Sequence, residues 1–515
     1  MLFPGSLFKK RYRPKIAVSR YVDRVQYMRA AGERERLPLG VPVFFTVASV
    51  ELGNTTTKCV LTATDLTAGC TYILEKTVRL TRSIRDPLPS ERVFGRTVWG
   101  KGLTVSAVKE FVADTLLESF LSARIDRKRD LHFVVRSTGV TASFAFPEEV
   151  GAMIQALAEG CLLAGISPSK MVAPLSKDAV PEELRPYSKL DLAPFDGSVA
   201  GCLPPKTPSE IAANEMEAEL STAGIKVGAK WIGVDFRNPV ITLDFGTTLK
   251  GRVTDDALPY ANTIASICGL GGAVADALTQ GSKLVDSEQG SALEAVGQSA
   301  LTQKGTWEAA EEFAEEAFNQ LRISKVPQNT MRFGTVPVDT AAAEKAGVRL
   351  LGCDIGENGS NINPLRKLGA EVQRDRGRET LFQMLDIVMA RIACEIVKIA
   401  LEDGLINQNI SIGVTGRAGI TGDKPMLFLK YVDELGFLPK EFPVEDRIVF
   451  VEDGLALGAG AMARCMFGLG TPESPLGGRR GGSCVLGMRS KAKSRKGFLD
   501  SYYKFTGHGI GEQSE

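Results

Sequence analysis

The chain has 515 residues, 44% hydrophobic and 24% charged, with 62 Lys and Arg against 61 Asp and Glu. That length accommodates roughly two to four domains with ample core, and the balanced charge excludes nucleic acid as a main partner recruited by bulk electrostatics. Apolar runs such as 41–50 fall short of the roughly 18 residues needed to cross a bilayer, so no membrane association is expected. The N-terminus has no apolar signal core, and nine scattered cysteines with no Cys-x-x-Cys spacing read as reduced thiols of a cytoplasmic protein.

Residues 1–40 form a basic arm, with ten Lys/Arg, three Asp/Glu and three tyrosines. A solvated or loosely docked leader is expected, with RNA or an acidic protein as the alternative contact. From 41 a three-stranded meander is predicted over 43–52, 56–64 and 71–81. Its first turn reads Val-Glu-Leu-Gly-Asn-Thr-Thr-Thr-Lys from Val50 to Lys58. Gly53 permits close backbone approach, the turned amides suit an anion, and Asn54, Thr55, Thr56, Thr57 and Lys58 add hydroxyls, an amide and a cation. A plain hairpin carries the same letters. A helix over 104–122 follows, and then a strand at 131–136 in which His132 reads as a packing residue. The strand leads into Ser137-Thr138-Gly139, a strand exit or a ligand-facing turn. A further helix is predicted to open at Pro147 and run to about 164.

A polar passage at 203–210 and an acidic helical stretch make 206–238 a helical linker. The meander then recurs at 239–245, 247–254 and 260–268. Leu-Asp-Phe-Gly-Thr-Thr at 243–248 repeats the first turn, with Asp244 lying 193 residues after Glu51. This separation is far longer than a solenoid period and indicates a duplicated domain. Cys268 opens a Gly-rich turn. An acidic helix is expected over 307–322, a strand at 348–355, a long helix over 379–402 and a strand at 409–414. The last of these leads to Thr-Gly-Arg-Ala-Gly at 415–419, which holds Gly416, Arg417 and Gly419. A strand at 447–452 and a Gly/Ala-rich helix containing Gly458 close the second unit. The predicted organisation is therefore a first lobe at 41–205, a second at 239–470, and a Gly-rich basic tail at 471–515.

Two strand-Asp/Glu-x-Gly-x-Thr turns, a late strand with a Gly-rich turn and a terminal small-residue helix resemble the actin/Hsp70/sugar-kinase ATPase superfamily. The Thr-Thr-Thr-Lys run is most similar to its activator ATPases. Val-Val-Arg-Ser-Thr-Gly-Val at 134–140, Phe-Asp-Gly-Ser-Val-Ala-Gly at 195–201, Ala-Asn-Glu-Met-Glu at 213–217 and the 243–248 turn resemble the archaeal methanogenesis marker protein 14 family. The resemblance implies an α/β fold, a duplicated ribonuclease H-like pair of lobes with mixed sheets flanked by helices. It implies ATP and Mg2+ between the lobes, with Glu51 and Asp244 acting on metal and water, directly or through metal-bound water. Gly246, Thr247 and Thr248 would help hold the phosphates, and Gly416, Arg417, Gly419 and Gly458 would lie by the nucleoside or link the lobes.

In the dehydratase activators a comparable cysteine shares an iron-sulfur cluster between two subunits. Cys268 would be that ligand here and the chain a homodimer, but no second cysteine follows at the required distance. Glu51 also departs from the usual Asp, which lengthens the reach toward metal. The implied role is an ATPase that activates, remodels or helps assemble a redox metalloenzyme of methanogenesis, such as methyl-coenzyme M reductase or a corrinoid methyltransferase. The alternatives are a small-molecule kinase with Asp196 near the acceptor, and a catalytically weak nucleotide-dependent scaffold.

Overall fold

The structure is a computed structural model that describes residues 12–32, 44–66, 68–171, 217–256, 261–296, 307–345, 347–441 and 443–466. The Asp196 region, the 206–216 passage and the C-terminal tail lie outside the described residues. The chain begins with strand β1 (Ile16–Ala17) and helix α1 (Arg24–Gly32), then enters the meander β2 (Phe44–Leu52), β3 (Thr56–Asp65) and β4 (Cys70–Leu80). A two-stranded ribbon, β5 (Gly95–Arg96) and β6 (Gly102–Leu103), precedes helix α2 (Val105–Ala123), strand β7 (Phe133–Thr138) and helix α3 (Pro147–Leu163). Thr104 caps α2 by accepting the Ala107 N–H at 3.1 Å, and Arg124 ends it in the left-handed region at φ 55°. These strands form a sheet ordered β4-β3-β2-β7, antiparallel except that β7 runs parallel to β2. β2 is buried at every position but Glu51, as expected for a strand covered on both faces.

The second unit repeats this plan. Helix α4 (Glu217–Trp231) leads to the meander β8 (Val240–Phe245), β9 (Leu249–Thr254) and β10 (Thr263–Gly269). Next come α5 (Gly272–Gly281), α6 (Ala292–Val296), α7 (Trp307–Phe318), β11 (Arg322–Lys325), β12 (Arg332–Phe333), β13 (Val336–Pro337), α8 (Thr340–Lys345) and β14 (Arg349–Asp354). The last elements are α9 (Ile362–Glu402), β15 (Ser411–Thr415), α10 (Arg417–Ile420), α11 (Lys424–Leu435), β16 (Ile448–Val451) and α12 (Gly454–Met466). In the eight-stranded sheet, ordered β1-β16-β15-β8-β9-β10-β14-β11, the stretch β10-β9-β8-β15 matches β4-β3-β2-β7 in order and in strand direction. The duplication is thus topological as well as sequential, and the fold is a pair of ribonuclease H-like lobes.

Helices α4 and α12 lie back to back between the two sheets. Small residues set how close they come. A Cβ on Gly224 would stand 1.6 Å from the Gly454 carbonyl oxygen, and one on Gly458 would stand 1.7 Å from that of Leu220, distances that real side chains do not reach. Apolar side chains then join the layers: Phe45, Val47, Phe133 and Val135 of the first sheet pack with Leu220, Leu455, Ala459 and Ala463 of these helices.

The basic arm differs from the sequence expectation in part. Ile16 and Ala17 pair in parallel with Phe450 and Val451, as an edge strand of the second sheet. Tyr12 donates to Asp433 at 2.8 Å, Lys15 to Asp446 at 2.5 Å and Ser19 to Asp453 at 2.8 Å. The acidic partner of this segment is the protein's own second lobe. The long predicted helix begins earlier than expected, because residues 362–376 are also helical and a single break at Gly377, φ 83°, separates them from the rest. Among the described residues no helix is long and apolar enough to cross a membrane.

Candidate functional site

In each lobe the first hairpin places an acidic residue at the end of one strand and a lysine opposite it on the next. Glu51 is in register with Lys58 and Asp244 with Lys250. These pairs follow from strand alternation, which sends Glu51, Gly53, Thr56 and Lys58 toward one side of the sheet. The two hairpin turns meet at a common cleft of about 550 Å³ whose lining includes Glu51, Gly53, Asn54, Thr55, Thr56, Lys58, Gly139, Gly246, Thr247 and Thr248, but not Asp244 or Lys250. Gly139 lines the cleft too, and a Cβ there would lie 2.9 Å from the Thr248 hydroxyl.

Thr57 points the other way, where its hydroxyl is 3.0 Å from that of Thr81. Gly416 and Gly419 are packed against Phe245 beneath the cleft rather than lining it, whereas Arg417 does line it. Gly458 serves the α4–α12 crossing and is not at the cleft wall.

The charges at the cleft floor interact. Lys58 lies 3.5 Å from Glu51, and the Glu51 charge, ahead of opposing desolvation and with help from Asp244, holds the Lys58 ammonium above its ordinary range. Asp244 accepts from the Ser221 hydroxyl at 3.0 Å. Burial, then the neighbouring Glu51 charge, push Asp244 up to about 6, against Lys58 and Ser221, which lower it. Glu217 of α4 is ion-paired with Lys250, and its burial raises its carboxyl. Glu51 and Lys58 line the cleft, and Asp244, set behind that lining, is close enough for its charge to interact with both. Asp244 is raised partly by its neighbour's charge, so a divalent cation held through water would suit the pair electrostatically. Among the described residues no three His, Cys, Asp or Glu groups converge as a cage of direct metal ligands.

The other end of the cleft is walled by Arg378, Glu379, Phe382, Leu385, Asp386, Ala418, Thr421, Gly422 and Lys424. The Arg378 guanidinium sits 5.1 Å from the Phe382 ring centroid and donates to the Ala295 carbonyl at 2.5 Å. Lys424 and Asp386 form a buried pair at 2.5 Å. The break at Gly377 starts a new helix at Arg378 and so aims the 378–386 face into the cleft. The sequence reading placed nucleoside contacts at 416–422 and missed this helix face, although Arg-x-x-x-Phe just after a glycine was a usable signal.

Asp276 of α5 and Trp99 of the β5–β6 ribbon were also missed. Trp99 donates its indole N–H to Thr55 at 2.9 Å, Thr247 donates to Thr55 at 2.7 Å, and Thr55 donates to Asp276 at 3.0 Å. The expected phosphate-facing hydroxyls of Thr55 and Thr247 are therefore committed to each other and to Asp276. Asn54 is likewise committed, donating to the Gly139 carbonyl at 3.0 Å and accepting the Val98 N–H at 2.8 Å. Thr56, Thr248 and Lys58 remain the side chains best placed toward the cleft. Cys268 is 2% exposed inside the second hydrophobic core. A thiol packed there cannot bridge to a second subunit without unpacking the sheet, so it does not fit a shared iron-sulfur cluster.

A profile of the archaeal family described as "Uncharacterized protein conserved in archaea (DUF2114)" matches residues 44–493. The chain belongs to the DUF2114 family. A DUF2114 relative from Methanothermobacter thermautotrophicus is 51% identical over 493 residues, covering 94% of this chain and 90% of its own length. One from Methanocaldococcus jannaschii is 50% identical over 495 residues, with 96% and 98% coverage. Among solved structures, the DUF2114 chain is similar to a reductive activator for corrinoid, iron-sulfur protein, at a TM-score of 0.26 and 13% identity over 90% of this chain. It spans 62% of that activator's length. It is also similar to the activator of the 2-hydroxyisocaproyl-CoA dehydratase from Clostridium difficile with bound ADPNP, at a TM-score of 0.31 and 9% identity, covering 81% of this chain and 94% of that one. Function is therefore read from the cleft.

Proposed function

We propose that this DUF2114 protein binds Mg-ATP between its lobes and hydrolyses it. The observation that carries the reading is the convergence of two topologically equivalent hairpin turns, 53–56 and 246–248, on the same cleft. Each turn follows a strand that ends near a carboxylate, and a polyphosphate is the ligand whose length and charge suit facing turns of this kind. Thr56, Thr248 and the Lys58 ammonium would contact phosphate oxygens. Glu51 and Asp244 would hold Mg2+ through its waters; the bound ion would supply charge neutralisation at the transferring phosphoryl group. Asp244 would also orient the attacking water, since its raised carboxyl is a competent proton acceptor near neutral pH. Arg378, Phe382 and Arg417 would flank the base, and the Lys424–Asp386 pair would face the ribose.

Calorimetry with Mg-ADP and Mg-ATP tests the binding, and phosphate release tests the hydrolysis. Labelled ATP incubated with cell extract separates the classes: inorganic phosphate supports the ATPase, whereas a labelled metabolite would point to a kinase. For the partner we keep a redox metalloenzyme, within the finer methanogenesis marker reading that the sequence motifs suggest. Activation there would proceed by nucleotide-driven remodelling and not through a Cys268 cluster. Anaerobic co-purification followed by identification of the bound protein tests it, and a partner without a metal centre would overturn it.

A further inference from the structure

Asp276 lies in the cleft wall but its carboxylate is already fully engaged by the protein. One oxygen accepts from the Ser291 hydroxyl and the Ala292 N–H, each at 3.0 Å. The other accepts from Thr55 at 3.0 Å, with the Thr247 hydroxyl at 3.5 Å. The proton count is consistent. Thr55 uses its single proton on Asp276 and both its lone pairs on Trp99 and Thr247, so its oxygen is saturated. Burial is the leading cause that pushes Asp276 up to about 6, while the Ala292 N–H and the Ser291 and Thr55 hydroxyls lower it. A carboxylate satisfied in this way is not free to take a metal or a phosphate, and what it does control is the position of both hairpin turns.

The contacts run across the two lobes. Thr55 and Trp99 come from the first and Thr247, Ser291 and Ala292 from the second. Trp99 is buried within the second lobe's hydrophobic core together with Ala142. The same 291–296 segment is tied to the first lobe by Arg82, which pairs with Glu294 at 2.5 Å. It is tied to the base end of the cleft by the Arg378 bond to Ala295. Asp276 anchors the start of that segment through Ser291 and Ala292.

We propose that Asp276 is a positioning residue: through the Thr55 and Thr247 hydroxyls it holds the two phosphate turns at one separation across the cleft, and so sets the geometry in which ATP reacts. This rests on the nucleotide reading above. Because it acts on the alignment of the turns more than on ground-state binding, its loss should fall on kcat.

The test uses the full chain. Asp276→Asn and the isosteric Thr55→Val are each expected to lower kcat about tenfold or more with KM within about threefold, and Thr55→Ser, which keeps the hydroxyl, to restore kcat. Wild-type kcat in Thr55→Val would overturn the proposal, as would a fall in KM-dependent binding alone. Should Asp276→Asn fail to fold, the Thr55 pair decides. A second measurement is independent of nucleotide: hydrogen exchange of the ligand-free chain at 53–56 and 247–248. Thr55→Val is expected to speed exchange in both turns while leaving α2 unchanged; unaltered exchange would overturn the latch. If wild type binds no nucleotide but Thr55→Val still loosens both turns, the latch stands and the nucleotide reading is what falls.

Discussion

Asp244 is the residue on which the proposed chemistry turns, and its environment dictates a pH signature. Its carboxyl is raised to about 6, so the proton-accepting form is populated only above that value. The kcat/KM for ATP, which reports the free protein, is expected to rise through about pH 6 and flatten toward neutrality. Asp244→Asn should remove this inflection and lower hydrolysis by about 100-fold or more, while binding changes far less. Binding lost in step with rate would instead make Asp244 a structural cap. The same shift affects stability with a defined sign. Between the ordinary aspartate value and about 6 the folded chain keeps a proton that the unfolded chain has released. The stabilisation is therefore full below that window and lost as pH rises through about 6. Urea midpoints should show Asp244→Asn gaining on wild type between pH 4.5 and pH 7, and a constant difference would contradict the assigned burial.

At the scale of elements, the close crossing of α4 and α12 is the feature least tolerant of change. Gly224→Ala would put a methyl group on the Gly454 carbonyl, and separating the helices should cost about 1–3 kcal/mol, read from urea unfolding. At the base end, Phe382→Ala should weaken ADP binding about tenfold if the ring stacks on the base, and unchanged calorimetry would remove it from the site.

The same elements show why the sequence was informative in some places and not in others. The two hairpins were legible because their signal is local: an alternating strand, a carboxylate, a glycine and threonines within about ten residues. The small residues of α12 were recognised as allowing close approach, but whether Gly458 faced a ligand or α4 depends on a partner more than 200 residues away in the chain. Asp276 was hidden because Gly-Ala-Val-Ala-Asp-Ala-Leu reads as an ordinary helix, and a lone carboxylate among small residues was the only hint. Thr55 was read as a phosphate contact because the sequence does not reveal that Trp99 and Asp276 saturate its hydroxyl.

For the whole molecule, the proposed division into lobes at 41–205 and 239–470, with 206–238 between them, makes nucleotide binding a question of how two rigid sheets move about α4 and α12. The 12–19 segment travels with the second lobe, because it is stitched to β16 and to the acidic rim around Asp446 and Asp453. Lys76 of the first lobe reaches Asp453 at 2.6 Å with both side chains largely buried, so this side of the molecule is expected to act as a fixed edge between the lobes. Lys76→Met should then loosen the fixed edge and lower the urea midpoint, and an unchanged midpoint would place the pivot elsewhere. The cleft between the hairpins is the proposed nucleotide site. Calorimetric titration of Mg-ADP into the full chain is predicted to give one saturable site with a Kd below about 100 μM, weakened by Lys58→Met. The absence of both heat and thermal stabilisation at millimolar Mg-ADP and Mg-ATP would contradict it.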